Sequence, residues 1–566
     1  MSLGALFCDQ GQHANVSDAQ GLLANAIVAY QHAVDVYAKA DTPYDWAIAQ
    51  VGVGSSYNSL AEVNASEKSQ QFFAKAIEAF HNALEVVTPN GLPEHWAMTQ
   101  LDLGITYRNQ GERATGEDAQ QLFAKALEAF QYASAVSDRD SVPQRWALVQ
   151  RSQGVVLADL GTRAAGEEAQ KLLTKAAEAE LRALQVYTKP SLAQDWAATQ
   201  SNLGLIYLHL GEDASGEEAQ QLFAKAVEAV ERALEVYTKA ALPQDWAENQ
   251  IRLGNVYEDQ GELASDEKAQ QLFAEAIEAY EHALEVYTKA ALPQDWAGTQ
   301  NNLGIAYIGQ SEHVSGQASL QILPKAVEAE LHASEVYTKT DLPQDWAKTQ
   351  LNLGWAYLDQ GQRTKGETSQ KSLARAVEAD QHALEILTKA SLPGYWAKAQ
   401  NNLGNAYLAQ SNLTTGDEAQ KLYAKAVDAY KHALEVITQA TMPQFWATIK
   451  TNLGTAYLAQ SEDSTGENAQ RLLAEAVEAY QNALESLNNV AQSQTWASTQ
   501  AKLGYALLAM GEAESGQEAI ERLRLARQAF QSSMQVFDPK NYPERQDFLQ
   551  EQLRKIDDLL KKKQEI

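Results

Sequence analysis

The sequence predicts an all-α solenoid of antiparallel helix pairs, about eleven pairs followed by one C-terminal capping helix. Three observations carry that expectation. Tryptophan recurs at Trp46, Trp96, Trp146, Trp196, Trp246, Trp296, Trp346, Trp396, Trp446 and Trp496, a period of 50 residues without insertion or deletion. A helix-start signal of the Pro-Gln-Asp-Trp kind surrounds most of these tryptophans, and an amphipathic segment follows each of them. A fixed period of this length marks a solenoid, whose units bury their apolar faces only on one another. It overrides the several domains that 566 residues would otherwise suggest.

The unit 292–341 shows the elements in order. It opens Leu292-Pro293-Gln294-Asp295-Trp296-Ala297. Proline in a first turn needs no amide partner, the acid after it suits the positive end of the helix dipole, and the residue before it is pushed out of the helical region. Trp296, Leu303, Gly304 and Tyr307 then fall on one side of a first helix of roughly 18 residues, about 27 Å long. A polar turn with Gly316 follows, which in sister units reads Ala214-Ser215-Gly216-Glu217-Glu218 or Ala114-Thr115-Gly116-Glu117-Asp118. Ser or Thr is expected there as the cap of the second helix, with two acids in its first turn. In the segment 220–239 the apolar stripe Leu222, Phe223, Ala226, Val227, Val230, Ala233, Leu234 and Tyr237 is wide enough to pack on two sides. Pro324 interrupts one second helix, and it predicts either a local break or a helix that starts late with Pro324 in its first turn.

At the beginning, Leu3-Gly4, Phe7 and Gly11 align with Leu103-Gly104, Tyr107 and Gly111, so the first unit lacks its Trp half. At the other end Tyr542-Pro543-Glu544 replaces the Trp motif and leads into a charged segment, the polar cap that a solenoid end requires. Residues 1–541 are therefore expected to form the repeat array and 542–566 the capping helix and basic tail. Lys555 and Lys561, Lys562 and Lys563 in that tail suit a helix C-terminus.

The order Leu253-Gly254, Tyr257, Ala276, Tyr280, Ala283 resembles the tetratricopeptide repeat. Two departures stand out. About ten more residues separate the glycine from the first alanine of the second helix than in the usual 34-residue unit, and Trp stands seven residues before the leucine rather than three. The phrase at 293–304 is similar to the extended repeats of bacterial and cyanobacterial tetratricopeptide proteins, which are often fused to caspase-like or NTPase effector domains. The resemblance implies a right-handed superhelix with its first helices along a concave groove, and a protein or peptide as partner.

Composition narrows the function classes. Lys and Arg total 45 against 74 Asp and Glu, for a net charge of -29, which repels a phosphate backbone and excludes nucleic acid as a partner. The same charge suggests a basic partner. Cys8 is the one cysteine, so no internal disulfide is available, and there is neither a signal-peptide pattern nor an apolar run long enough for a membrane. The cytoplasm is the expected compartment. The sequence holds no phosphate loop, no His-Glu-x-x-His and no Gly-x-Ser-x-Gly, so neither an enzyme nor a cofactor is expected. His282, His332, His382 and His432 form a column, but equivalent helices lie too far apart for such residues to share a metal ion. The paired acids Glu167-Glu168 and Glu217-Glu218 recur at helix starts, as dipole partners do.

Candidate binding residues come partly from the resemblance. An Asn just before Leu-Gly can hold the main chain of an extended peptide, and it falls here on Asn202, Asn302, Asn352, Asn402 and Asn452. The pattern fails at Gly52, Asp102, Ser152, Arg252 and Lys502, so a continuous ladder is expected only from Asn302 to Asn452. The alternative is that these amides bind water or the neighbouring helix. Three residues on, the groove position reads Leu205, Asn255, Ile305, Trp355, Asn405, Thr455 and Tyr505, and Trp355 is the expected aromatic anchor. Lys348 and Lys398 precede Asn352 and Asn402 by one turn and can hold a carboxylate. The preferred groove thus spans about residues 298–460. The reading is a non-enzymatic scaffold or sensor. Its alternatives are a structural protein that self-associates by end-to-end stacking and the recognition part of a system whose effector lies elsewhere.

Overall fold

The structure, a computed structural model, describes residues 2–12, 16–64, 68–314, 316–487, 493–537, 539 and 542–564. Residues 565 and 566 of the expected tail lie outside this set. The described residues form 23 helices and no strand, which is eleven pairs and a last helix. Contacts divide the chain into a unit of residues 1–260 and a unit of residues 261–566. The helices of the first are α1 Ser2–Gln12, α2 Val16–Val36, α3 Pro43–Glu62, α4 Lys68–Leu84, α5 Pro93–Glu112, α6 Gly116–Ala135, α7 Pro143–Gly161, α8 Gly166–Ala183, α9 Ala193–Glu212 and α10 Gly216–Leu234. Helix α11, Pro243–Leu263, spans the division. The second unit continues with α12 Asp266–Leu284, α13 Pro293–Glu312, α14 Gln317–Ser334, α15 Pro343–Arg363, α16 Gly366–Leu384, α17 Pro393–Ser411, α18 Asp417–Ala433, α19 Pro443–Glu462, α20 Gly466–Ser486, α21 Gln494–Ala513, α22 Gly516–Met534 and α23 Pro543–Gln564.

The first helices that carry a proline, from α3 to α19 with α9 excepted, start at it. Leu292 before α13 sits at φ -137°, ψ 70°, outside the helical region, and its carbonyl accepts the first turn's bond from the Trp296 N–H at 2.9 Å. Helix α9 begins in the same way at Ala193, so the proline favours this start without being required for it.

The second helices start differently from expectation. Thr115, Ser215 and Thr465 make no side-chain capping bond, and Ala165 and Lys365 occupy the same place. The turn is instead made by glycine at positive φ, +59° at Gly116 and +60° at Gly216, where a Cβ is strained. Gly216→Ala is therefore expected to destabilise by about 1 kcal/mol, and Ser215→Ala to leave the urea midpoint within experimental error. Equal losses from the two would restore Ser215 as the cap.

Two further corrections concern the second helices. Helix α10 ends at Leu234, so Tyr237 lies in the connection, yet it stays buried against Trp196, Ala197 and Leu242. Helix α14 begins at Gln317 and runs through Pro324, so it neither breaks nor starts late. Pro324 lacks an N–H, so the Leu320 carbonyl forgoes its intrahelical bond.

The core of each pair is a side chain of the second helix pressed on the glycine of the first. A Cβ on Gly104 would lie 2.5 Å from the Phe130 ring, and one on Gly404 would lie 2.6 Å from Tyr430. Both rings are fully buried. Burying one such ring stabilises the pair by about 2 kcal/mol.

The tryptophans of the 50-residue column are half-buried and pack both within their own pair and on the pair before it, as Trp496 does on Ala447, Ala483 and Leu487 and Trp196 does on Ala147, Ala183 and Tyr187. Trp296 lies 5.8 Å from the His332 ring, and the Lys289 ammonium stands over its face at 5.7 Å. Trp346 and Trp396 meet His382 and His432 in the same way, so the histidine column is a packing partner of the tryptophans. Successive pairs are also linked by ions, as Lys389 to Glu435 at 2.8 Å shows.

Within each unit, first helices of successive pairs touch one another, as α3 touches α5 and α15 touches α17. The second helices make no such contact among the described residues. The first helices therefore lie on the inner side of the bend. Helix α23 covers the end of the second unit with Leu549, Ile556 and Leu560. Its lysines point back: Lys555 pairs with Glu512 at 2.7 Å, and the Lys563 ammonium donates to the Glu514 carbonyl at 2.7 Å.

Candidate functional site

All eight expected site residues fall on first helices of the second unit, on α13, α15, α17 and α19. Their asparagines link successive helices. The Asn352 Nδ2 donates to Asn301 Oδ1 at 3.0 Å, and Asn452 Nδ2 donates to Asn401 Oδ1 at 3.0 Å. Asn402 is buried, and Asn302 is half-buried. At Asn352 and Asn452 one amide hydrogen thus holds the neighbouring helix, the second of the two arrangements that the sequence left open. Each nitrogen carries a second hydrogen.

Trp355 is half-buried against Leu358, Leu373, Ala376 and Ala406, and its Nε1–H donates to Glu312 Oε1 at 3.1 Å. Burial pushes the Glu312 carboxyl above its ordinary range, while the indole bond opposes that rise. The ring is held in place from both ends of its side chain. Lys348 and Lys398 converge on one exposed ring, with their ammonium groups 5.5 and 5.6 Å from the centre of Tyr395. Lys348 also lies 3.4 Å from Asp345. Sequence reasoning missed Tyr395, although the signal was present: most sister units carry a charged residue before the tryptophan, and Tyr395 and Phe445 replace it with an aromatic ring in two successive units.

Asn405 and Asn452 meet in a different place, a cavity of about 400 Å³ walled by α15, α16, α17, α19 and α21. The Tyr430 hydroxyl, which rises from the buried column, donates to Asn405 Oδ1 at 2.7 Å and sets that amide's orientation. Thr455, one unit on, receives the Tyr480 hydroxyl at 3.3 Å. The wall also carries Asn412, Gln362 and Lys502, and no carboxylate. Lys502 is the residue that sequence reasoning set aside. Its signal was present, since it interrupts the asparagine column with a cation. Lys502 is half-buried, and desolvation by the surrounding protein lowers its ammonium pKa.

No cluster of His, Cys, Asp and Glu that could hold a metal ion occurs among the described residues. No described helix is long and apolar enough to cross a membrane.

No protein-family model matches the chain, and no curated protein matches it. Similarity to solved structures extends over most of the chain. Yeast Tom70 is 14% identical over 97% of this chain and 95% of its own, with a TM-score of 0.37. Ypp1 is 11% identical over 97% and 86%, with a TM-score of 0.42. A signal transduction ATPase with a tetratricopeptide repeat sensor, from Pyrococcus horikoshii, is 13% identical over 90% and 87%, with a TM-score of 0.33.

Proposed function

We propose that this tetratricopeptide-type array of helix pairs is a non-enzymatic protein-interaction scaffold or sensor. It binds an extended segment of a partner along the first helices of the second unit. The observation that supports this reading is the polar cavity on the inner side, where Asn405 and Asn452 stand together. Amides offer a donor and an acceptor on one group, which suits the main chain of a peptide whatever its side chains. Trp355, Asn302 and Asn402 lie along the same row of helices, and Lys348 and Lys398 with Tyr395 supply a second, cationic patch.

The test is capture of partners from a native lysate by the wild-type chain and by an Asn405→Ala, Asn452→Ala, Lys398→Ala variant. A protein retained by the wild type and reduced at least tenfold on the variant is the expected result. Identical captures from both would remove the inner side as the binding surface.

Self-association is a second reading with its own observation. Leu3, Leu6, Val28 and Val36 on α1 and α2 are 51–78% exposed. Exposed apolar side chains grouped on one helix pair suit a second copy of the chain. Sedimentation velocity of wild type and of Leu3→Asp, Leu6→Asp decides this reading. A concentration-dependent size that the variant lacks supports it, and a constant monomer size removes it.

A further inference from the structure

Two second helices carry neighbouring residues in exchanged order. In most pairs an apolar residue presses on the glycine of the first helix and a polar one follows it at the surface, as in Phe130-Gln131, Val230-Glu231, Tyr280-Glu281 and Tyr430-Lys431. Helix α8 has Glu180-Leu181 instead, and α14 has Glu330-Leu331. Both glutamates are fully buried, and both leucines are 48% exposed. A carboxyl kept from water costs free energy, and an aliphatic side chain left in water forgoes its own burial. Each of these helices is one residue away from the better match.

Helix α14 adds features that α8 lacks. Pro324 stands where α8, α10, α12 and α16 have Thr174, Ala224, Ala274 and Ala374, and it removes one bond from the helical ladder. Ser319 is fully buried and its hydroxyl has no hydrogen-bond partner, whereas Ser69 and Ser369 at the same place donate to the carbonyls of Ala61 and Gly361 at 2.9 and 2.6 Å. Past the helix, Tyr337 is half-buried, while Tyr187, Tyr237 and Tyr287 in sister connections are buried. We propose that residues 329–334 of α14 exchange between the observed register and one advanced by a single residue, in which Leu331 takes the buried place of Glu330 on Gly304.

An advance of one residue turns the segment by about 100°. Leu331 then lies against Gly304, where a Cβ would stand 2.6 Å from Glu330 Oε1 in the observed register. Glu330 turns to the place of Ala329, on the wall of an open cavity of about 410 Å³ bounded by α12, α13 and α14. The Lys325 ammonium stands in that wall, 5.4 Å from the centre of the Tyr307 ring. Ser334 takes the small, buried place of Ala333, and Ala333 moves to the half-buried place of His332. The additional residue is taken up as a one-residue bulge after Pro324, and a ladder already short of a bond gives up less when it bulges. Helix α8 has the same exchanged pair, but Thr174 keeps its N–H and the ladder stays whole, so α8 holds one register. Helix α14 packs on α15, which carries Asn352 and Trp355, so the advanced register reshapes the support of that helix.

Thiol labelling of the folded full chain, with Cys8→Ser as background, reads the exchange. Ala333→Cys and Ala183→Cys place thiols at equivalent sites that are fully buried in the observed register. Labelling at position 333 is expected to be at least tenfold faster than at position 183. Adding Pro324→Ala or Leu331→Glu to Ala333→Cys is expected to slow it at least tenfold, the first by restoring the ladder and the second by putting an acid where the advanced register buries leucine. Simple fraying of α14 predicts instead that Leu331→Glu, at an exposed site, leaves the rate unchanged. That outcome overturns the proposal, as does labelling at 333 no faster than at 183. Hydrogen exchange of the chain without cysteine substitutions makes the same comparison between residues 325–334 and 175–184. Exchange at least tenfold faster in α14, and slowed by Leu331→Glu, is expected, and equal exchange in the two helices overturns the proposal.

Discussion

Asp380→Val is expected to stabilise the second unit by roughly 3 kcal/mol, read as a rise in the urea midpoint without a change in slope. Asp380 holds the place on α16 that Tyr430 and Tyr480 hold on α18 and α20, pressed on the glycine of its partner helix. A Cβ on Gly354 would lie 2.4 Å from Asp380 Oδ1. The side chain is fully buried, and neither carboxylate oxygen has a hydrogen-bond partner. Burial raises its pKa well above the carboxylate range, so the folded state holds it protonated and still leaves its polar atoms unsatisfied. Valine has nearly the same shape, and the array already uses it there, since Val230 faces Gly204. The substitution removes a desolvation cost without opening a cavity. Tyr430→Asp is the reverse experiment and is expected to lose several kcal/mol, from the ring's burial and from its bond to Asn405. A lower midpoint for Asp380→Val would mean that the carboxyl has a structural partner, and this account of the column would fall.

Much of the fold could be read from residues with a local cause. The Trp period set the unit, proline set the start of the first helices, and eleven pairs with a capping helix followed. The errors arose where tertiary geometry overrides a local rule. Ser215 has the composition of a cap, but the chain enters α10 through Gly216 at positive φ and leaves the hydroxyl without a capping bond. Tyr237 continues the apolar stripe of α10 in sequence but leaves the helix, because packing on Trp196 and Leu242 rewards burial and not helical geometry. For the candidate site, sequence could rank positions by their departure from the repeat, and it ranked Trp355 first. In the structure that indole donates to Glu312. The fold sets Lys502, counted in the sequence as a gap in a ladder, half-buried in the same cavity wall as Asn405 and Asn452. A residue that breaks a column is informative in proportion to the cost of placing it there, and partial desolvation costs a cation more than an indole.

The same column makes the first unit sensitive to pH. Glu180 on α8 is fully buried, its Oε1 accepts from Asn202 Nδ2 at 3.0 Å, and its Oε2 has no hydrogen-bond partner. Desolvation raises its pKa from 4.5 to about 8, against smaller opposing effects of the Asn202 bond and the Arg151 charge. Arg151 is itself engaged by Asp195 at 2.9 Å, which limits what it can offer the glutamate. The folded chain therefore keeps a proton that the unfolded chain releases once pH passes 4.5. Stability contributed by this site is fully present below that pH and falls by about 1.4 kcal/mol per pH unit until pH reaches about 8. The whole loss is on the order of 5 kcal/mol. Glu180→Gln has no proton to lose and keeps an amide oxygen for Asn202. The stability of the variant relative to wild type should therefore grow with pH across this window and level off above it. Urea unfolding at pH 5, 6, 7 and 8, with both proteins in the same buffers, measures that difference. A difference that stays constant across the four would show that Glu180 is ionised in the folded state, and the column would then have to supply it with a counter-charge.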